Sequence, residues 1–297
     1  MDNFLVAGIL LADLNTKQMS EATTNTETTD STIGIIAGNG IYPETFVKAA
    51  RKNAPGCKLV AAAFHDETRE DLGEQVDAIE WVRVGQLNKI IKFFKKQGVK
   101  RAIMVGQIAP NNLFNLRPDM RILMMLARVK KRNAETLFGA IGEELSKDGI
   151  ELINATTYLD DLLPEVGHVY GPKLKKRQQE DADYGFEIAK ESSRLDVGQS
   201  VVVRHGTVLA VEAFEGTDEC IKRGGKLGRG KSCTLAKVSK PNQDFRFDVP
   251  CLGTRTVETC AEAGVKVIAC EAKRTLILGK EDVEKMCDEK GITIVAL

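Results

Sequence analysis

The sequence has few aromatic residues, few histidines and no excess of either charge. Phe, Trp and Tyr together make up 5% of the 297 residues, and there are three histidines. Lys plus Arg and Asp plus Glu both number 42. Without net positive charge, no global field attracts nucleic acid or an anionic membrane, so a local cluster must bind any anionic ligand. His65, His168 and His205 are isolated in the sequence, which excludes a recognisable histidine-rich metal site or Ser-His-Asp triad.

The sequence also lacks the patterns that indicate a disulfide framework, a zinc knuckle or a membrane span. The seven cysteines are odd in number and show no C-x-x-C spacing, which favours reduced thiols in a cytosol. No run approaches ~18 uninterrupted apolar residues, so no membrane span is predicted. Residues 15–31 are rich in Thr, Asn and Glu without periodicity. We therefore predict that residues 1–31 form a disordered extension.

From residue 32 onwards, strand-like and helix-like segments alternate. Such alternation predicts right-handed crossovers and an α/β fold with a mostly parallel sheet. Pro43 is suited to the first turn of a helix, and Asp119 to a helix N-cap. The predicted strands are residues 32–37, 58–64, 78–84, 101–105 and 150–159, and the predicted helices are 43–53, 86–97, one capped by Asp119, and one from Asn133 to about 147.

Glycines follow two of these strands directly. Gly38, Asn39 and Gly40 follow the first strand, and Gly106 and Gln107 follow the fourth. Ligands in parallel sheets bind at the carboxyl ends of the strands, where glycine lets backbone N–H groups approach a phosphate. A simple tight turn explains these glycines equally well. The pattern also lacks the third glycine of the dinucleotide-binding fingerprint.

A second α/β unit is predicted after a boundary rich in glycine and proline at residues 160–173. We predict a helix at 175–192, a hairpin of 200–204 with 207–213, a mobile loop at 222–231, a helix at 254–263, strands at 265–270 and 275–278, a helix from 281 and a final strand.

The polar stretch at residues 237–253 concentrates charge of both signs. It places Lys240, Gln243, Asp244, Arg246 and Asp248 within nine residues, between two prolines. A rigid loop of this kind suits an anion together with a metal ion, although internal ion pairs on a solvated surface loop explain it equally well.

Two further groups have open interpretations. Glu212, Glu215 and Asp218 could hold a hard divalent cation through oxygen ligands, or they are solvated acids near a helix start, which is the favoured reading for Glu212. Residues 111–132, which include Arg117 and Lys130, form either an anion site beside apolar surface or a packed helix with a solvated basic face.

The motifs taken together resemble a known family. ATTYLDD, KESSRLDVGQSVVV, GTVLAVEAFEGTDECIKRGG, KVSKPNQDFRFDVPCLG and EAKRTLIL, with GIIAGNGIYPE, VGQI, LRPDMR and KRNAETLFGAI nearer the amino terminus, resemble the LpxI-type UDP-2,3-diacylglucosamine pyrophosphatases. The resemblance extends from Gly34 to the end of the chain.

The resemblance implies a cytoplasmic lipid A pathway enzyme with at most peripheral contact to the inner membrane. It implies a Rossmann-like nucleotide-side domain at residues 32–165, a catalytic domain of family-specific α/β fold at 166–297, and a homodimer. The implied reaction uses a divalent metal, Mg²⁺ or Mn²⁺, and cleaves the pyrophosphate to 2,3-diacylglucosamine 1-phosphate and UMP. Two other classes stay open on the residues alone, a nucleotide-binding oxidoreductase and a non-catalytic nucleotide-sugar binder.

Roles for individual residues follow from the resemblance and the chemistry of a pyrophosphate. Hydrolysis of an anionic diester needs neutralisation of charge and positioning more than a strong nucleophile. Asp248 matches the catalytic aspartate of the family. The remaining candidates are Lys240 and Arg246 for charge neutralisation, Gly38, Asn39, Gly40, Gly106, Gln107, Arg117, Lys130 and Gln243 for substrate binding, Asp248, Asp218 and Glu215 for the metal, and Leu113, Phe114, Leu116 and Met120 for the acyl chains.

Overall fold

The computed structural model describes residues 31–108, 118–129 and 134–297. The predicted disordered extension lies outside these ranges apart from Ser31. Two predicted substrate contacts, Arg117 and Lys130, lie outside them as well, as do the acyl-chain candidates Leu113, Phe114 and Leu116.

The N-terminal part is a five-stranded sheet in which every neighbouring pair is parallel. The strand order is β3-β2-β1-β4-β5. Buried apolar side chains cover both faces of the sheet, packed against helices. The elements are β1 Thr32–Ala37, α1 Tyr42–Asn53, β2 Lys58–Phe64, β3 Ala78–Val82, α2 Leu87–Lys96, β4 Arg101–Val105, α3 Met120–Arg128, α4 Ala134–Lys147 and β5 Glu151–Leu152.

The C-terminal part contains a six-stranded mixed sheet in the order β6-β13-β11-β9-β7-β8, and β10 pairs with β12 in a separate two-stranded ladder. Strands β9, β11 and β13 are mutually parallel, whereas β6, β7 and their partners are antiparallel. The elements are β6 Gly167–Tyr170, α5 Lys176–Arg194, β7 Ser200–Arg204, β8 Thr207–Val211, α6 Thr217–Leu227, β9 Cys233–Lys237, β10 Cys251–Leu252, α7 Thr254–Ala263, β11 Val265–Cys270, β12 Leu276–Ile277, α8 Lys280–Lys290 and β13 Thr293–Ala296. The predicted α/β class with a mostly parallel first sheet and a second α/β unit is confirmed.

Local signals in the sequence explain several helix starts. Pro43 lies in the first turn of α1, as predicted. The Asp119 carboxylate accepts a hydrogen bond from Ile122 N at 3.0 Å and so caps α3. Its other oxygen accepts from Asn88 N at 2.6 Å, which ties the start of α2 to the same side chain. The Asp119 cap therefore fixes the relative position of two helices.

The predicted strand at residues 150–159 is wrong beyond its first residues. Only Glu151–Leu152 pairs with β4. The Asn154 side chain accepts from Thr156 N at 2.8 Å and from Thr156 Oγ1 at 2.9 Å, which closes a turn. Asparagine competes with a β-ladder in this way because its short side chain satisfies nearby backbone groups.

The predicted mobile loop at 222–231 is also wrong, because α6 continues to Leu227. Gly224 and Gly225 belong to the buried face of this helix rather than to a turn. A Cβ on Gly224 would lie 2.5 Å from Val202 Cβ, and one on Gly225 would lie 2.2 Å from Ala263 O. The glycines therefore permit close packing of α6, which composition alone cannot distinguish from loop flexibility.

The two glycine loops of the N-terminal sheet pair with each other. Asn39 N donates to Gln107 O at 2.6 Å, and Gln107 N donates to Asn39 O at 3.1 Å. A Cβ on Gly38 would lie 2.5 Å from Gln107 O, and Gly106, at φ +92°, would bring a Cβ within 2.8 Å of Asn39 O. Both glycines are therefore required by backbone contact between the loops, independently of any ligand.

All seven cysteines lie among the described residues and are free thiols. Among the helices that the structure describes, none combines the length and apolar character needed to cross a bilayer.

Candidate active site

The site begins with a cleft of about 500 Å³ between the N-terminal and C-terminal parts, here called the interdomain cleft. The glycine loops form one wall, and the segment after β9 with the starts of α6 and α7 forms the other. Its lining residues include Asn39, Gly40, Ile41, Tyr42, Met104, Gly106, Gln107, Ala155, Gln199, Glu212, Thr217, Lys237, Phe247, Asp248, Cys251, Gly253, Thr254, Arg255 and Thr256. The structure thus brings Asn39, Gly40, Gly106, Gln107 and Asp248 together, as the candidate site requires.

Three helix N-termini reach this cleft without a side-chain cap. The N-cap residues are Ile41 for α1, Gly216 for α6 and Gly253 for α7, and none of them makes a side-chain capping hydrogen bond. The first residues of these helices, Tyr42, Thr217 and Thr254, line the cleft. Each helix start carries a partial positive charge and backbone donors. The cleft is therefore built to accept an anion.

Two cationic side chains add to this field. Lys237, the last residue of β9, lines the cleft and makes no ion pair with the described part of the chain. Arg255, in the first turn of α7, is ion-paired with Asp218 at 2.7 Å and is otherwise largely exposed. An exposed pair of this kind contributes little stability, so Arg255 can exchange it for a ligand phosphate at small cost.

The segment between β9 and β10 holds Asp248 at the cleft through backbone contacts. Asp248 N donates to Asp244 O at 3.0 Å, and Asp248 O accepts from Gln243 Nε2 at 3.0 Å. The other end of the Gln243 amide accepts from Lys240 N at 2.8 Å. Gln243 was predicted to bind substrate, and here its side chain braces this loop from within and is not part of the cleft lining.

Arg246 and Lys240 point to local carboxylates. Arg246 Nε and Nη2 bind Asp244 at 2.9 and 2.6 Å, and these hydrogen bonds lower the pKa of Asp244 and raise that of Arg246. Lys240 Nζ is ion-paired with Asp196. Neither cation lines the interdomain cleft, so Lys237 is the better-placed lysine of the loop region.

The three carboxylates predicted to bind a metal are not gathered into one site. Glu215 is ion-paired with Arg223, and Asp218 with Arg255, whereas Asp248 lines the cleft. Across residues 31–108, 118–129 and 134–297, no group of three or more His, Cys, Asp or Glu side chains could hold a metal ion. A protein cage of these three residues therefore does not fit. Among the described carboxylates, Asp248 and Glu212 line the cleft.

Glu212 lies in the cleft, although the sequence favoured a solvated acid at this position. Its Oε1 accepts from Thr217 Oγ1 at 3.0 Å, and its Oε2 accepts from Gln199 N at 3.3 Å. Lys237, Glu212 and Arg255 share a signal that sequence reasoning did not use. Lys237 ends strand β9, Glu212 follows strand β8, and Arg255 lies in the first turn of α7, and strand ends and helix starts are where ligands commonly bind in α/β folds.

A second, larger cleft of about 820 Å³ lies beside the first, here called the lateral cleft. Its walls include Met125 of α3, Val129 at the end of that helix, Ala140 of α4, and Lys240. Phe247 lines both clefts and packs against Phe138, with ring centroids 5.7 Å apart. The lateral cleft is nevertheless mainly polar, because Arg128, Glu143, Glu144, Lys147, Arg194 and Asp196 also line it, and its apolar part is confined to a few side chains beside Phe247.

We expect Cys251 to be unreactive although it lines the interdomain cleft. Burial raises the pKa of its thiol to about 12, with a small opposing effect of Lys237. At pH 8 only about 10⁻⁴ of the thiol would be ionised, and the thiolate is the nucleophile. Iodoacetamide should alkylate Cys251 at least ~10-fold more slowly than free cysteine, measured by peptide mass spectrometry. Alkylation at the rate of free cysteine would contradict the raised pKa.

Known proteins match both halves of the chain. The model of the LpxI N-terminal domain matches residues 32–162, and that of the LpxI C-terminal domain matches residues 165–295. UDP-2,3-diacylglucosamine pyrophosphatase LpxI of Caulobacter vibrioides is 29% identical over 275 residues, which cover 89% of this chain and 97% of the relative.

Solved structures give weaker likenesses. The biotin carboxylase domain of Hydrogenobacter thermophilus 2-oxoglutarate carboxylase is 14% identical, with a TM-score of 0.24, over 59% of this chain and 35% of that one. Rhizobium etli pyruvate carboxylase is 13% identical, with a TM-score of 0.26, over 61% of this chain and 16% of that one. These likenesses are too low to bear on fold or function. The two domain matches, in the expected order and over nearly all of the described residues, show that the chain belongs to the LpxI family.

Proposed function

We propose that this protein hydrolyses the pyrophosphate of UDP-2,3-diacylglucosamine to 2,3-diacylglucosamine 1-phosphate and UMP. The observation that carries the proposal is the convergence of three uncapped helix starts and Lys237 on the cleft that contains Asp248. A pyrophosphate diester carries one negative charge on each phosphorus centre, and this arrangement supplies the complementary field. The name of the Caulobacter relative supports the choice of substrate.

The chemistry requires one bond to form and one to break. A water oxygen attacks one phosphorus atom, the bridging P–O bond breaks, and the bridging oxygen leaves with the other phosphoryl group. In this proposal Asp248, which lines the cleft, would accept the proton of that water or orient it. Lys237 and the starts of α1, α6 and α7 would stabilise the charge that develops on the phosphoryl oxygens.

The other parts of the substrate have neighbouring surfaces. The glycine loops of the N-terminal part would take the nucleotide half, and the few apolar side chains beside Phe247, among them Met125, Val129 and Ala140, would contact the acyl chains in an otherwise polar lateral cleft. The proposal includes a cytoplasmic location, at most peripheral contact with the inner membrane, and a homodimer. Seven free thiols support a reducing compartment.

A direct assay tests the proposed function. The purified protein is incubated with UDP-2,3-diacylglucosamine in mixed micelles with Mg²⁺ or Mn²⁺, and products are identified by mass spectrometry. UMP and the sugar 1-phosphate should appear in equal amounts, with many turnovers per enzyme. UDP with a free sugar would place the cleavage at the glycosidic bond instead and refute the proposal. Binding without product would favour a nucleotide-sugar binder.

We also propose that the reaction depends on a divalent metal. Mg²⁺ is commonly held by one or two carboxylates together with substrate phosphates, and Asp248 is the carboxylate of the predicted metal set that lines the cleft. Such an ion neutralises phosphoryl charge. Chelation with EDTA should lower turnover at least ~10-fold, and excess Mg²⁺ or Mn²⁺ should restore it. Full turnover after exhaustive chelation would exclude the dependence.

A further inference from the structure

A partly buried polar network lies directly behind the loop that carries Asp248. Glu271 follows the last residue of β11, and Cys270 is paired in register with Lys237 of the neighbouring strand β9. The Glu271 carboxylate accepts from Ser239 N at 2.8 Å and from Ser239 Oγ at 2.7 Å. Lys190 Nζ donates to both carboxylate oxygens, at 3.0 and 3.2 Å. Glu271 therefore holds the chain two residues beyond Lys237.

The network fixes both backbone groups of Ser239. Its N–H donates to Glu271, and its carbonyl oxygen accepts from Lys190 Nζ at 3.1 Å. Burial raises the pKa of Glu271, but the hydrogen bonds from Ser239 and Lys190 outweigh it and leave that pKa below its usual value. The carboxylate is therefore charged, and the entrance of the loop at residues 240–250 is held by a charged, directional contact.

Arg274 extends the network to the middle of the loop. Its Nε donates to Ser239 Oγ at 2.7 Å, and its guanidinium lies over the Phe245 ring, 4.6 Å from the centroid. Phe245 O accepts from Ala155 N at 2.8 Å, and Ala155 O accepts from Tyr42 Oη at 2.7 Å. Tyr42 opens α1 at the glycine loops. One connected series of contacts thus joins Glu271 to both walls of the interdomain cleft.

We propose that Glu271 and Arg274 are positioning residues that hold Asp248 and Lys237 in register with the glycine loops. Neither side chain lines the interdomain cleft, so both act through the loop. A buried ion pair is weak evidence for stability, because desolvation offsets much of its attraction. The Glu271–Lys190 pair lies behind this loop and can therefore act by positioning it. A displacement of a reacting group by about 1 Å can cost ~10²-fold in rate. This inference rests on the proposed function for its kinetic part.

The test compares Glu271→Gln with Asp181→Asn in the full chain. Asp181 is a matched control, because its carboxylate, more deeply buried than that of Glu271, also holds backbone groups, accepting from His205 N and Gly206 N at 2.8 and 2.7 Å. Both substitutions should lower the thermal midpoint. Glu271→Gln should lower kcat at least ~10-fold with KM changed less than threefold, whereas Asp181→Asn should keep kcat within twofold. Equal kcat values per folded molecule for both variants would overturn the proposal.

Hydrogen exchange provides a readout that does not depend on the reaction. Amides of residues 240–248 should exchange at least ~10-fold faster in Glu271→Gln and be unchanged in Asp181→Asn. Unchanged exchange in that loop overturns the proposal even if the wild-type protein lacks the proposed activity, so the two failures are distinguishable. Arg274→Lys keeps the charge but loses the flat stacking on Phe245. Because Arg274 is half-exposed, the Arg274→Lys protein should fold normally and show the same increase in exchange. It replaces Glu271→Gln as the test variant if the latter does not fold.

Discussion

Asp248→Ala is expected to lower kcat by at least ~10²-fold, the low end for loss of a positioned general base. The physical reason is that Asp248 lines the same cleft as Lys237 and three uncapped helix starts, where the phosphoryl groups would bind. Removing a carboxylate also relieves repulsion of the anionic substrate, so the Kd of the substrate should stay the same or fall. Stopped-time assays and calorimetry measure the two quantities.

The matched control is Asp161→Ala, which removes a carboxylate from a highly exposed ion pair with Lys52. Its kcat should equal that of the wild type. The thermal midpoint of each variant separates loss of chemistry from loss of folded protein. A normal kcat in a destabilised Asp248→Ala protein would assign Asp248 a role in loop structure and move the catalytic carboxylate elsewhere, with Glu212 the next cleft residue to test.

Lys237→Met is expected to reduce kcat/KM by about 10²- to 10³-fold, the effect of removing one electrostatic donor from a preorganised site. Methionine retains the length and apolar stem of lysine, so packing at the end of β9 should be preserved. Because the ammonium group would interact with charge in both the ground state and the transition state, KM should rise while kcat falls. Initial rates over a range of substrate concentrations resolve the two changes.

Lys266→Met is the control for the loss of one positive charge. Lys266 is a lysine of β11 whose Nζ donates to Lys290 O on the surface, away from the cleft. It should leave kcat/KM within twofold of the wild type. An equal, small effect of both substitutions would show that Lys237 acts only through the overall field of the protein, and the helix starts would then carry the binding of the phosphates.

The sequence predicted the fold more fully than the site. Strand β1 and helix α1 follow from a short apolar run, two glycines and Pro43, which are all local signals. The Asp119 cap is equally local. The strand predicted at 150–159 failed because the Asn154 side chain closes a turn, which apolar composition does not reveal. The loop predicted at 222–231 failed because glycines serve close helix packing as well as turns.

Charge clusters in the sequence proved a poor guide to which side chains face the cleft. Arg246 and Asp244, which are close in sequence, bind each other instead of facing the cleft. Glu215 is paired with Arg223 of the helix it precedes, α6, and Asp218 with Arg255 of α7. The cleft instead takes its charge from residues that are distant in sequence and meet only after the sheets form. Tertiary contacts of this kind cannot be read from the spacing of residues in the sequence, although the ends of parallel strands indicate where ligand-binding residues gather.

The mutual contact of Gly38 and Gly106 has a consequence for redesign of this enzyme. Neither position accepts a side chain without displacing the opposite backbone, so a substitution at Gly38 or Gly106 would separate the two loops instead of reshaping the cleft. On the opposite side of the cleft, Thr254 and Thr256 lie in the first turn of α7, whereas the Thr217 hydroxyl is engaged by Glu212. Libraries aimed at altered substrate range should therefore sample Thr254 and Thr256 and leave Gly38 and Gly106 invariant.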